Sequence, residues 1–129
     1  FPALHLSING GVTALDQAQN FLDSGMDGVM IGRAAYHQPT DLLANADAVI
    51  FGQDRAINPV NIVHQMMPYI HAHIENGGRL NQITRHMLGL FTGRPGARGW
   101  RRVLSERAHC DGPELVLEAL QRVIEPEAA

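Results

Sequence analysis

The chain contains no lysine. All ten of its Lys/Arg cations are arginines, set against 13 carboxylates, and the formal net charge is −3. A slightly acidic total excludes a generic polyanion binder, because such proteins carry a field of one positive sign. A genome-wide preference for arginine would also remove every lysine, so no function follows from that absence by itself. Cysteine is nearly absent too. Cys110 is the only one, which excludes an intrachain disulfide framework and a cysteine-based metal site. No apolar run approaches the ~20 residues of a membrane span, and no secretory leader pattern is visible. A cytoplasmic location is therefore expected.

What is present is sorted along the chain. Between Arg79 and Arg107 lie seven arginines and one acid, Glu106, whereas the first 60 residues and the tail after Cys110 are acidic overall. At 129 residues the chain has room for one ordinary domain or two small ones. It opens on Phe1-Pro2-Ala3 with no initiator Met and runs straight into a strand pattern. A piece of a longer protein is the expected explanation, with processing of a precursor as the alternative.

Residues 1 to about 35 read as β-α-β. Leu4, Leu6 and Ile8 alternate with His5 and Ser7, the period of a strand. Thr13 and Asp16 have capping-box spacing, and Leu15, Ala18 and Leu22 fall on one helical face. Gly25 suits a left-handed helix end. Val29-Met30-Ile31 is a short continuous apolar run, as expected of a strand buried on both faces. Residues 36–58 read as a connector with a short helix near Asp41–Ala48. Asn58-Pro59 marks a boundary, since a residue before proline is pushed out of the helical region.

From Val60 the period becomes helical. Val60, Val63, Met67, Ile70 and Ile74 form one stripe, with Pro68 inside it as an expected kink. A second helix is expected over about Asn81–Phe91, a third over Ala97–His109 and a fourth over Pro113–Ile124. Short links between four helices predict a bundle. The division is thus α/β over residues 1–58 and all-α over residues 59–129.

Two glycine turns carry the chemistry. Asn9-Gly10-Gly11 follows the first strand, and Gly32-Arg33 follows the second. A phosphate needs several backbone N–H groups aimed at one point, glycine lets the backbone approach closely, and arginine adds a bidentate charged contact. Strand, glycine turn, helix, strand, glycine turn is also how a (β/α)8 barrel grips phosphate with its last two loops. Such a barrel needs ~250 residues, so only its last βαβ portion fits here. Either turn alone could be an ordinary tight turn, with Arg33 solvated.

On the third helix, Arg98, Arg101, Arg102 and Ser105 share one face, while Trp100, Val103 and Leu104 share the opposite one. Arg85 and Arg94 could extend the patch. Arginine matches phosphate geometry and stacks on bases, and Glu106 alone is too few acids to neutralise this face. An RNA contact is the expectation, with a solvated charged face as its rival. Trp100 belongs to the core. His71 and His73 do not share a helix face, and with His64 they lack a carboxylate at ligand spacing, so no metal site is assigned. Asp27 reads as a turn residue, His86 as a surface histidine beside Arg85, and Cys110 as lacking an activating partner.

Four segments together carry a resemblance: Ile8-Asn9-Gly10-Gly11-Val12; Met26-Asp27-Gly28-Val29-Met30-Ile31-Gly32-Arg33-Ala34-Ala35-Tyr36; Ile83-Thr84-Arg85-His86-Met87-Leu88-Gly89-Leu90-Phe91; and Pro95-Gly96-Ala97-Arg98-Gly99-Trp100-Arg101-Arg102. Over nearly its whole length the chain resembles the C-terminal portion of a bacterial tRNA-dihydrouridine synthase of the A type. The glycine loops are shared with many FMN barrels; the last two segments are far more specific. The resemblance implies the end of an FMN-binding (β/α)8 barrel followed by a helical tRNA-binding domain. It implies reduction of a D-loop uridine at C6 by hydride from FMN, with NADPH as reductant and a barrel-loop cysteine protonating C5. For the A type, uridines 20 and 20a are the implied targets. Asn9, Gly10, Gly11, Gly32 and Arg33 would hold the FMN phosphate. Arg98 and Arg101 would contact tRNA, joined by Arg102 and Arg85. The catalytic cysteine would lie upstream of this chain, leaving it inactive alone and with its truncated barrel portion prone to self-association. Two other readings stay open: an FMN-dependent oxidase or dehydrogenase of small molecules, and a non-catalytic RNA-binding helical module.

Overall fold

In the computed structural model, residues 2–55 and 57–126 are described; Phe1, Ala56 and residues 127–129 lie outside them. The chain divides into two compact units, residues 1–56 and 57–129.

The first unit begins with strand β1 (Ser7–Asn9), helix α1 (Leu15–Asp23) and strand β2 (Gly28–Met30). The strands pair in parallel with Ser7 opposite Gly28, Ile8 opposite Val29 and Asn9 opposite Met30. Asp27 extends this pairing by one residue: its N–H donates to the Leu6 carbonyl at 2.9 Å, and its Oδ2 accepts the Leu6 N–H at 2.8 Å. The expected capping box of Thr13 with Asp16 does not form. Gln17 Oε1 instead accepts the Thr13 N–H at 2.9 Å, and Asp16 Oδ1 accepts the Gln17 N–H. The longer amide side chain reaches back over the turn that the aspartate, held by its neighbour, leaves open. At the other end of α1, Gly25 and Met26 donate to the Leu22 and Phe21 carbonyls, and Gly25 has φ +97°, as its left-handed role required.

The connector is more helical than its sequence suggests. Three short helices follow β2: α2 (Arg33–His37), α3 (Pro39–Leu43) and α4 (Ala46–Phe51). Pro39 ends α2 and, as a first helical residue, starts α3. The buried residues here are few, namely Val12, Ala18, Thr40 and Leu42. Large apolar side chains stay in contact with water: Leu4 is 56% exposed, Leu6 50%, Met30 51% and Phe51 70%. This departs from the double-sided burial expected of Val29-Met30-Ile31. Among the described residues each strand has one neighbour, so no further layer covers its outer edge.

The second unit holds α5 (Pro59–Glu75), α6 (Leu80–Thr84), α7 (Ala97–Arg107) and α8 (Glu114–Ile124). Asn58 caps α5 by accepting the Val60 N–H at 2.9 Å. The helix is continuous through Pro68 and buries Val63 and Ile70 from the expected stripe. One cluster joins them to Phe91, Trp100, Leu104, Val116 and Leu120.

The helix expected over Asn81–Phe91 stops at Thr84. Buried Thr84 turns its hydroxyl back onto the Leu80 carbonyl, a bond that bends helices. The chain then descends through successive three-residue turns: Met87 N–H to Thr84, Leu90 N–H to Met87, Arg94 N–H to Phe91. A continuing helix would give the Met87 carbonyl to Phe91. Here the Trp100 indole N–H donates to it at 3.1 Å, and Trp100 is fully buried with Phe91 edge-on at 5.0 Å. The Met87 carbonyl thus accepts one local bond, from the Leu90 N–H, and one tertiary bond, from Trp100.

Gly96 explains how α7 meets α8. Its φ is +79°, and a Cβ there would lie 1.9 Å from the Arg122 carbonyl oxygen; a Cβ at Gly99 would lie 2.9 Å from Arg122 Cβ. One helical turn thus presents two side-chain-free positions to the last turn of α8. Gly93 has φ +78° with open space around it, so it isolates the backbone cost. Gly93→Ala is expected to destabilise the unit by ~1 kcal/mol, from the left-handed conformation alone. Gly96→Ala adds the clash with backbone and is expected to cost at least ~3 kcal/mol. Urea unfolding of both variants beside the parent chain checks the order.

Candidate functional site: a glycine-lined cavity and an arginine-faced helix

Parallel pairing with Asn9 level with Met30 makes both chain segments leave the strands at the same end. Gly10 and Gly11 take φ +139° and +66°, values that side chains disfavour, and a Cβ on either would meet nothing within 4 Å. Gly32 ends the second crossing as the residue before α2, and Arg33 opens that helix. The result is an open cavity of about 710 Å³ lined by Asn9, Gly10, Gly11, Gly32 and Arg33 together. All five residues singled out in the glycine turns therefore face one space.

Thr13, Met30, His37 and Gln38 line it as well and were not anticipated. His37 stands four residues after Arg33, one helical turn on the same face. That signal was present in the sequence but depended on α2 running to residue 37. Among the described residues no carboxylate lines the cavity and none pairs with Arg33. Exposed glycine backbone, a free guanidinium and no opposing negative charge form a donor set suited to a phosphate group.

In the second unit, Arg98, Arg101, Arg102 and Ser105 are exposed on α7, while Trp100, Val103 and Leu104 are buried beneath them. Among the described residues no carboxylate pairs with the three arginines of this face. Arg107, on the same helix, differs. It contacts Glu118 through Nη1 and holds Asp111 at 2.7 Å through Nη2. The Glu118 and Asp111 carboxylates hold its guanidinium above the ordinary arginine range. Arg107 thus ties the end of α7 to α8, and its charge is already answered. Arg85 stands just after α6 and donates from Nε to His86 Nε2 at 3.0 Å.

The remaining histidines have separate settings. His73 shares the Gln82 Oε1 atom at 2.9 Å with the Arg79 N–H, a contact joining α5 to α6. His64 and His71 are exposed along α5. Among the described residues no three His, Cys, Asp or Glu side chains are grouped to hold a metal ion. Cys110 is exposed beyond the end of α7. Among the described residues no helix is long and apolar enough to cross a membrane.

A family model, dihydrouridine synthase, matches residues 1–125. The chain belongs to the dihydrouridine synthase family. Curated relatives in it are named tRNA-dihydrouridine(20/20a) synthases. That of Shewanella oneidensis is 53% identical over 126 residues, covering 95% of this chain and 37% of the relative. Those of Salmonella typhimurium and Escherichia coli K12 are each 50% identical over 126 residues, covering 96% of this chain and 37% and 36% of the relative. The chain therefore spans little more than a third of the length of the dihydrouridine synthases it matches.

In this family member the cavity depends on the strands keeping their register, and Asp27 is the side chain that ties them. Asp27→Ala removes the acceptor for the Leu6 N–H while leaving the backbone pairing in place. The expected result is a local loss of ~0.5–1.5 kcal/mol. It should be read as faster amide exchange at Leu6 with exchange in α7 and α8 unchanged. Equal loss of protection in both units would contradict this local role.

Proposed function

We propose that residues 1–58 supply the last βαβ portion of an FMN-binding (β/α)8 barrel and residues 59–129 a helical tRNA-binding domain. The whole protein then reduces a D-loop uridine of tRNA to 5,6-dihydrouridine in the cytoplasm, with NADPH as reductant. Uridines 20 and 20a are the targets, by analogy with the names of the relatives. The observation that carries the reading is the meeting of both glycine turns at one carboxylate-free cavity, in a chain matched by the family model over residues 1–125.

Bound FMN supplies the hydride chemistry. The part of this chain is to hold its phosphate: Asn9, Gly10 and Gly11 from one loop, Gly32 and Arg33 from the other. The glycine backbone would let the phosphate oxygens approach without side chains in the way, and Arg33 would neutralise part of the dianion. Arg98, Arg101 and Arg102, with Arg85, hold the tRNA backbone. Pulling a uridine out of its stack costs a few kcal/mol, and contacts to phosphates away from the reacting base offset that cost. The family resemblance implies that the cysteine protonating the ring lies upstream of this chain; Cys110 is exposed beyond the end of α7 and does not line the cavity. Residues 1–129 alone are therefore inactive as an enzyme.

The arginines divide into two groups that tRNA titration separates. Arg98→Ala with Arg101→Ala is expected to weaken binding and to lower the slope of log K against log salt by about two, about one per lost phosphate contact. Arg107→Ala is expected to leave the slope unchanged, because its charge is already paired with Glu118 and Asp111. Equal slopes in all three proteins would remove the tRNA role of α7. Independently, the exposed Leu4, Leu6, Met30 and Phe51 predict that residues 1–56 expressed alone associate with one another, while residues 57–129 stay monomeric and folded. Sedimentation of the two pieces reads this directly, and a monomeric, protease-resistant 1–56 piece would overturn it.

A further inference from the structure

The cavity contains one more ionisable group than the phosphate reading uses. His37 lines it together with Gly10, Gly11, Gly32 and Arg33. Arg33 and His37 are the first and last residues of α2, one turn apart on the same face. Among the described residues they are the only basic side chains lining the cavity, and no carboxylate lines it. The His37 ring meets Tyr36 edge-on, with centroids 5.4 Å apart. That contact limits where the imidazole goes and keeps it beside the cavity mouth. An imidazole N–H donates to phosphate oxygen in its neutral form as well as in its charged form.

We propose that His37 is a second side-chain donor to the phosphate monoester and, with Arg33, sets the preference for the phosphorylated flavin over its uncharged nucleoside form. This rests on the reading of the cavity as an FMN phosphate site. Arg33 at the start of α2 and His37 at its end would then reach the phosphate from one face of the same short helix.

The test measures FMN and riboflavin affinity of the full-length apoprotein carrying this chain, by quenching of flavin fluorescence. His37→Ala, His37→Gln and Arg33→Ala are compared with the parent. His37→Ala is expected to weaken FMN about tenfold, the loss of one hydrogen bond to a charged group, with riboflavin unchanged. His37→Gln, which keeps an N–H donor, is expected to recover part of that loss. If His37→Ala binds FMN like the parent while Arg33→Ala does not, the role of His37 is overturned and the phosphate site stands. If His37→Ala weakens FMN and riboflavin equally, His37 shapes the loop rather than touching phosphate, and the proposal fails. If the parent protein prefers neither flavin and Arg33→Ala changes nothing, the phosphate reading itself falls, and this inference with it.

Discussion

Parallel pairing of two three-residue strands determines the first unit. Because the strands run the same way, the chain must cross back through α1 before β2 can begin, and both strands then end at the same edge. The two glycine turns are brought to one cavity by that constraint, with no contact between the turns required. The strands themselves contribute little. Three residues each, half-exposed, cannot hold register through burial alone, since independent sheets need more strands or a covering layer. Asp27 compensates locally by taking the Leu6 N–H with its side chain and giving its own N–H to the Leu6 carbonyl. A residue read as a plain turn aspartate thus acts as the end clamp of the ladder.

In the second unit the corresponding constraint is the Trp100 indole. Burying so large a side chain is worth several kcal/mol, to judge from the 3–5 kcal/mol cost of removing such groups, but its N–H must be satisfied. It donates to the Met87 carbonyl, which lies in the stretch of tight turns that follows α6 and also accepts the Leu90 N–H. One tertiary hydrogen bond of ~1 kcal/mol net would not outweigh a helical turn by itself. The burial of Trp100 and Phe91 against each other tips the balance. The specific sequence stretch around residues 83–91 is therefore shaped less by helix propensity than by what it must offer to Trp100.

Periodicity made much of this legible. The β-α-β order, the Gly25 helix end, the stripe of α5 and the two faces of α7 all follow from spacing alone, because each depends on local geometry. What spacing missed was decided by partners distant in sequence or by competition between neighbours. Gln17 displaces Asp16 at the start of α1. Thr84 turns its hydroxyl back onto Leu80 at the end of α6, and Trp100 takes the Met87 carbonyl beyond it. Gly96 and Gly99 read as turn and helix-interior glycines, but their requirement comes from Arg122, more than twenty residues away. In the cavity, the five glycine-turn residues stood out through residue type, whereas His37 did not, because its relation to Arg33 appears when α2 is known to be a helix.

Charge sorting supports the division of labour proposed for the two units. A chain of net charge −3 repels a polyanion on average. For such a chain to dock tRNA, its cations must be concentrated on one face and left unpaired there, and its remaining charge kept elsewhere. Helix α7 carries four arginines within ten residues, and they separate by environment. Arg107 is bound to two carboxylates and holds the α7–α8 turn; Arg98, Arg101 and Arg102 have no carboxylate partner among the described residues. On the proposed reading an acidic total would work in favour of selectivity. Nonspecific attraction would be weak, so affinity would depend on matching the spacing of a few arginines to the phosphates of one folded RNA, with the buried Trp100 beneath that face keeping the spacing fixed.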